Sequence, residues 1–393
     1  MNSIASLQDS LQIELKNILS YWEDNTIDNL HGGFIGHIDY PDIKQHKMNK
    51  GIILNSRILW SFSAAANHYK NDKYAAICKR SYNYLKQYFN DEIFGGVFWE
   101  VDYLGTPTNR RKQVYAQAFT IYALSEYYLF SKDEEVKNWA ITLFNLIEEK
   151  SFDSKDNGYI EAFAENWDAI EDMRLSEKDE NYAKTMNTHL HILEAYTTFY
   201  KIHPEKQVKD ALINLITLFT DKFLSKDFHF HLFFDEKWNL KSSVYSYGHD
   251  VETAWLLIEA AKVINEPLLL TKIEQIAVKV VDRFIEVAMD EQAGTKNCID
   301  LTTGIVDTDR HWWPQAEAMV GIFYVYKITE DEKYHELVLR IWDFIDKNVI
   351  DHTHGEWLGV IDENGNHDPK NEKVGMWKCP YHNSRACIQI VAI

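Results

Sequence analysis

The chain of 393 residues repeats itself six times. Short segments rich in glycine and aromatics recur along it. They read HGGFIGHIDY from residue 31, FGGVFWEVDYLG from 94, NGYIEAFAEN from 157, HFHLFFDEKWN from 229, AGTKNCIDLTTG from 293 and HGEWLGVIDENG from 354. Each predicts two short strands or an extended turn. The period, roughly 60–70 residues, is long for a TPR or HEAT solenoid.

Helices of two kinds lie between these loops. SLQDSLQIELKNILSYWED, DKYAAICKRSYNYLKQYF, DEEVKNWAITLFNLIEE and EKYHELVLRIWDFIDKNV are amphipathic, with charged outer faces. ILNSRILWSFSAAANHY, YAQAFTIYALSEYYLF, NTHLHILEAYTTFY, DVETAWLLIEAAKVI, PQAEAMVGIFYVYKI and SRACIQIVAI are apolar nearly all round. A helix of that second kind is buried on both sides. Six loops and two alternating helix classes predict an all-α fold: an (α/α)6 barrel of six helix-pair repeats with short β-hairpin-like loops. Without a Pro/Ser-rich linker or a charge block, residues 1–393 read as a single domain.

The starts of the apolar helices carry the polar residues. They are Arg57, Tyr115, Asn187 with His191, His249 with Glu252, Trp312 with Trp313, and Trp377 with Tyr381 and His382. If the apolar helices line an axis, these side chains meet at one end of it. A single histidine in an apolar helix is ordinarily a packed core residue. Three at equivalent repeat positions point to a site. Helix spacing puts Asn187 and His191 (i, i+4) on one face, and lets Glu252 reach back to orient His249 (i, i+3). Asp250 reads as a residue that favours a helix start.

Net charge is −19, which argues against nucleic acid as a partner, because phosphate backbones require clustered Lys and Arg. The amphipathic N-terminus lacks the features of a signal peptide, and no stretch is long enough for a membrane span. A cytoplasmic location is expected. Cys78, Cys298, Cys379 and Cys387 form no CxxC pair, so free thiols are expected rather than a zinc or redox site. His-x-His occurs at 189/191, 229/231 and 352/354. On a helix, i and i+2 diverge too far to chelate together; His229 and His231 in an extended segment could share a face, but no third ligand is evident. No metal and no cofactor are expected. Phosphate cradles of the GxxxxGK[ST] or GxGxxG type and a GxSxG elbow are also missing. Aromatics make up 14% of the chain, and aromatic rings stack on pyranose C–H faces. Histidines, tryptophans and an arginine together suit proton transfer on a sugar.

KTMNTHLHILEAYT, YGHDVETAWLLIEA, RHWWPQAEAMVG and WKCPYHNSRACIQI, with NSRILWSFS and YAQAFTIYALSEYY, resemble the cellobiose 2-epimerases of the N-acylglucosamine 2-epimerase superfamily over almost the whole chain. The resemblance implies an (α/α)6 barrel acting on the reducing-end glucose of β-1,4-linked disaccharides, without redox cofactor or metal. His191 would assist ring opening. His249 and His382 would exchange the C2 proton through a cis-enediol, on opposite faces. Arg57, Tyr115 and Asn187 would hold the C1–C2 oxygens, Glu252 would orient or tune His249, and Trp377 with one of Trp312 and Trp313 would stack on the sugar. The small-molecule partner would be a disaccharide, the protein a monomer or homodimer. The rival readings are an aldose–ketose isomerase or N-acylglucosamine 2-epimerase of the same superfamily, a glycoside hydrolase using carboxylates such as Glu161, Glu252 and Glu317, and a non-catalytic sugar binder.

Overall fold

The computed structural model describes residues 3–177 and 179–392. Among these, twelve α-helices alternate around a closed ring. The inner helices are α2 (Ile52–Tyr69), α4 (Val114–Ser131), α6 (Met186–Ile202), α8 (Tyr247–Ile264), α10 (Trp312–Thr329) and α12 (Tyr381–Ala392). The outer helices are α1 (Ile4–Thr26), α3 (Ala75–Tyr84), α5 (Glu134–Lys150), α7 (Lys206–Leu218), α9 (Pro267–Ala288) and α11 (Glu332–Phe344). Each inner helix packs on the next, and α12 packs on α2, which closes the inner ring. The expected (α/α)6 barrel is the observed one.

The two helix classes follow from burial. In α4 the first twelve residues, Val114 through Ser125, are all buried. In α11 only one stripe is, formed by Tyr334, Val338, Ile341, Trp342 and Phe344. Inner helices α2, α4, α8 and α10 end at a residue with positive φ (Lys70, Lys132, Asn265, Glu330), which turns the chain sharply into the outer helix. Outer helices α5 and α11 then start at an aspartate, Asp133 or Asp331, whose carboxylate accepts a backbone N–H two residues on.

The loops stitch neighbouring units together. The strand preceding one inner helix pairs antiparallel with the loop of the following unit: Lys50–Gly51 with Glu100–Val101, Lys112–Gln113 with Ala162–Phe163, Lys184–Thr185 with Phe233–Phe234, Val244–Ser246 with Cys298–Asp300, and Arg310–His311 with Val360–Ile361. A bridge from Ile38 to Val374 completes the circle.

A buried ion pair repeats with these strands. An aspartate at the loop entry caps its own turn through one oxygen and meets a lysine or arginine ahead of the next inner helix through the other. The pairs are Asp28–Lys50 (2.8 Å), Asp91–Lys112 (2.5 Å), Asp153–Lys184 (2.7 Å), Asp351–Lys373 (2.9 Å) and Asp290–Arg310. The fourth unit lacks it. Ser225 stands at the turn and Tyr245 on the strand, and Tyr245 stacks on His229 with ring centroids 4.4 Å apart. His229 Nδ1 in turn lies 2.6 Å from Asp250 Oδ2, while Asp250 Oδ1 accepts from the Phe230 N–H. Asp250 is therefore a loop anchor rather than a simple helix-start residue, and His229 is committed to it rather than paired with His231.

Burial opposes ionisation of Asp28, Asp91, Asp153 and Asp351. The lysine and the backbone N–H groups outweigh it and hold all four below the ordinary 3.8. A carboxyl whose folded pKa is depressed stabilises the fold above its unfolded pKa, and that contribution disappears as pH falls through the folded value. Thermal melts are expected to change little between pH 8 and 5 from this source, then to fall steeply below about pH 4. An unchanged midpoint at pH 3 would rule the repeated pairs out as the acid-sensitive element.

Candidate active site

Ten of the eleven polar residues found at the starts of the apolar helices line one cavity of about 190 Å³ at the axial end of the inner ring: Arg57, Tyr115, Asn187, His191, His249, Glu252, Trp312, Trp313, Trp377 and His382; Tyr381 instead donates its hydroxyl to Glu194. They come from α2, α4, α6, α8, α10, α12 and the loop before α12. A second cavity of about 480 Å³ shares Asn187, His249, Trp313 and Trp377 with it. The long loop of unit three that runs from Phe163 to Lys184, including Arg174, Ser176 and Asp179, walls this outer chamber.

The three histidines are held differently. His191 Nδ1 lies 2.9 Å from Glu194 Oε2, and His382 Nδ1 lies 2.7 Å from Glu317 Oε1. A carboxylate only accepts, so both Nδ1 atoms carry the proton and both Nε2 atoms are left for the cavity. His249 Nδ1 meets instead the Ser246 hydroxyl, 2.8 Å away. The expectation that Glu252 orients His249 is thus corrected. From the same turn of α8, Glu252 points to α12, with Oε1 2.6 Å from Arg385 Nη2 and 3.9 Å from His382 Nδ1. The buried guanidinium attracts the carboxylate more strongly than a neutral imidazole does.

Burial pushes His249 and His382 down to about 3 and His191 below the usual imidazole value; Glu317 and Glu194 oppose the shift at His382 and His191. All three are therefore neutral near pH 7 and able to accept a proton. Burial also opposes ionisation of Glu317 and Glu194, but Arg385 overcomes it in both. Burial, then repulsion from Glu317, raises Glu252.

Arg57 is buried between the rings of Phe119 (4.4 Å from its Cζ) and Tyr381 (4.8 Å), and its Nη2 donates to Tyr115 Oη at 2.8 Å. Arg57 Nε, Asn187 Oδ1 and Trp312 Nε1 are buried without a hydrogen-bond partner in the protein. Unpaired buried polar atoms cost free energy, so three of them around a cavity favour a polar occupant. Trp313 lies 4.8 Å from His249 and 5.6 Å from His382, ring centre to ring centre, and reaches both chambers. Trp312 meets His382 edge-on at 6.4 Å and lines the inner chamber alone. Of the two, Trp313 is the ring in contact with both histidines.

Glu252, Glu317 and His382 offer ligand atoms within 4.8 Å of one another, close enough to hold a cation. Arg385 Nη2 already donates to both of those carboxylates, at 2.6 and 2.7 Å, so the protein's own guanidinium fills that role. The same closeness argues against a hydrolase pair, whose carboxylates must flank a scissile bond. Glu161 is tied to Thr185 and Thr188 at the start of α6, both at 2.7 Å. Glu194, Ser246 and Arg385 did not emerge from the sequence. The first and last sit three residues after a site histidine, which is the only signal they carry.

The chain matches the N-acylglucosamine 2-epimerase (GlcNAc 2-epimerase) family over residues 32–386. A cellobiose 2-epimerase of Bacteroides fragilis is 43% identical, the alignment covering 98% of each chain. The solved cellobiose 2-epimerase of Bacillus thermoamylovorans superposes with a TM-score of 0.94 at 36% identity, covering 99% of both chains. A solved D-mannose isomerase, at 22% identity, shares the fold with a TM-score of 0.86 over 98% of this chain and 97% of its own. This chain belongs to the N-acylglucosamine 2-epimerase family. It is a carbohydrate epimerase.

Proposed function

We propose that the enzyme inverts C2 of the reducing-end sugar of a β-1,4-linked disaccharide, converting cellobiose to glucosyl-mannose and lactose to epilactose. The observation that carries this reading is that His249 and His382, from different helices, line one cavity and both contact the Trp313 ring. Inversion needs two proton-transfer groups reaching one carbon from opposite faces. The outer chamber supports a disaccharide over a single sugar, since a lone hexose would leave it empty. The names of the relatives at 43% and 36% identity agree.

In the proposed sequence His191 assists opening of the hemiacetal, giving the C1 aldehyde. One histidine takes the C2 proton, the electrons of the C–H bond form the C1–C2 double bond, and the carbonyl pair moves onto the C1 oxygen, giving the anionic form of a cis-enediol. Arg57 and Tyr115 stabilise the charge on the C1 oxygen. The second histidine, which enters this step as an imidazolium after taking a proton from solvent, gives its Nε2 proton to the other face of C2. Glu317 can balance an imidazolium on His382, whereas the Ser246 hydroxyl offers His249 no counter-charge. His382 is accordingly the better proton store, and His249 the better resting base.

Cellobiose, mannose and N-acetylglucosamine incubated side by side test the substrate. Glucosyl-mannose from cellobiose, with little change in the monosaccharides, is the expected profile by chromatography. Fructose from mannose with cellobiose untouched would overturn it in favour of the isomerase, and free glucose from cellobiose would favour a hydrolase.

A further inference from the structure

Arg385 lies one helical turn after His382 on α12, fully buried and outside the lining of both cavities. Its guanidinium joins three inner helices to its own. Nη1 donates to Glu194 of α6, and Nη2 to Glu252 of α8 and to Glu317 of α10. Glu194 and Glu317 are the carboxylates that receive the Nδ1 protons of His191 and His382. Three carboxylates so close would repel, and one or more would take a proton and stop accepting. A planar fork with five donors can satisfy all three at once, which an ammonium cannot.

We infer that Arg385 is a positioning residue that keeps Glu194 and Glu317 ionised and aimed, so that His191 and His382 both present Nε2 to the substrate. Ring opening and C2 proton exchange then share one support, although the two histidines sit on different helices. The other titratable groups facing this cluster, among the described residues, include Tyr115 and Tyr122 from α4, His249 from α8, Tyr324 from α10, Tyr381 from α12 and Arg57 from α2. Arg57 adds to the positive field of Arg385 at both histidines. The inference rests on the acid–base roles proposed above for His191 and His382.

Arg385→Lys keeps the charge but not the fork, and Arg385→Gln removes both. Circular dichroism establishes folding, and cellobiose turnover is followed across pH. In Arg385→Lys, kcat should drop on the order of 100-fold, the scale of one general acid–base contribution, with KM within about threefold. In Arg385→Gln the limb of kcat/KM set by His191 and His382 should also move to higher pH, because losing a cation eases protonation of both histidines. A folded Arg385→Lys with wild-type kcat, or a loss confined to KM with an unmoved limb in Arg385→Gln, overturns the inference. If Arg385→Gln does not fold, Arg385→Lys decides alone. His191→Ala and His382→Ala separate the two ideas: turnover in those variants defeats the acid–base reading itself, whereas inactivity there beside a normal Arg385→Lys defeats only the role of Arg385.

Discussion

His249→Ala and His382→Ala should each abolish epimerisation while leaving the barrel folded. Both side chains end at a cavity; His249 bonds only to Ser246 beside its own helix, and the α10–α12 contact of His382 with Glu317 is also held by Arg385, so the thermal midpoint should stay within a few degrees of wild type. Each loss should be at least about 100-fold, the contribution of one general acid or base. A finer result is expected in deuterium oxide. With two bases on opposite faces, each variant keeps the histidine that serves one epimer. His249→Ala should therefore exchange the C2 hydrogen of one epimer and not the other, and His382→Ala should show the reverse. Proton NMR of cellobiose and glucosyl-mannose reads this directly. Near-wild-type turnover in either variant, or identical exchange patterns in both, would refute a two-base scheme.

Lys112→Met should be the most destabilising of the simple changes to the repeat. Lys112 and Asp91 are both buried, 2.5 Å apart, and the methionine leaves an unpaired carboxylate in the interior. Removing one partner of a buried pair costs about 3–5 kcal/mol, which urea unfolding would measure as a lower midpoint. The fourth unit supplies the control. There Ser225 and Tyr245 occupy the two positions, and the strand still pairs. Asp91→Ser with Lys112→Tyr should recover part of the loss, since no charge then remains unpaired. A single variant as stable as wild type, or a double variant worse than the single, would show that the pair is not what holds the loop.

The barrel was legible because its two causes are both periodic. Glycine and aromatic residues mark the six loops, and all-round against one-sided hydrophobicity marks inner and outer helices. The site residues were legible for the same reason, as one end of every inner helix faces the axis. Partnerships were less so. Spacing placed Glu252 within reach of His249 but could not weigh the competing Arg385, which lies 133 residues away. The Glu317–His382 contact spans 65 residues and two helices, so no local pattern announces it. The repeated aspartate stands just ahead of the glycine-rich segments, in IDNLHGG, NDEIFGG, FDSKDNG, MDEQAG and IDHTHG, and was not singled out there. Its partner lies across a strand whose pairing the sequence does not state.

Helix α12 packs against α1 as well as α2 and α10, and a Gln8 side chain donates to the Ile390 carbonyl across that contact at 3.1 Å. This helix carries His382 and Arg385, and it is the last of the twelve to leave the ribosome. Until then α1 and α2 lack the neighbour that covers them, and the ring stands open. A nascent or clipped chain ending before residue 381 thus has a nearly whole scaffold and no second proton donor. Catalytic competence arrives in one step, at the moment the circle shuts.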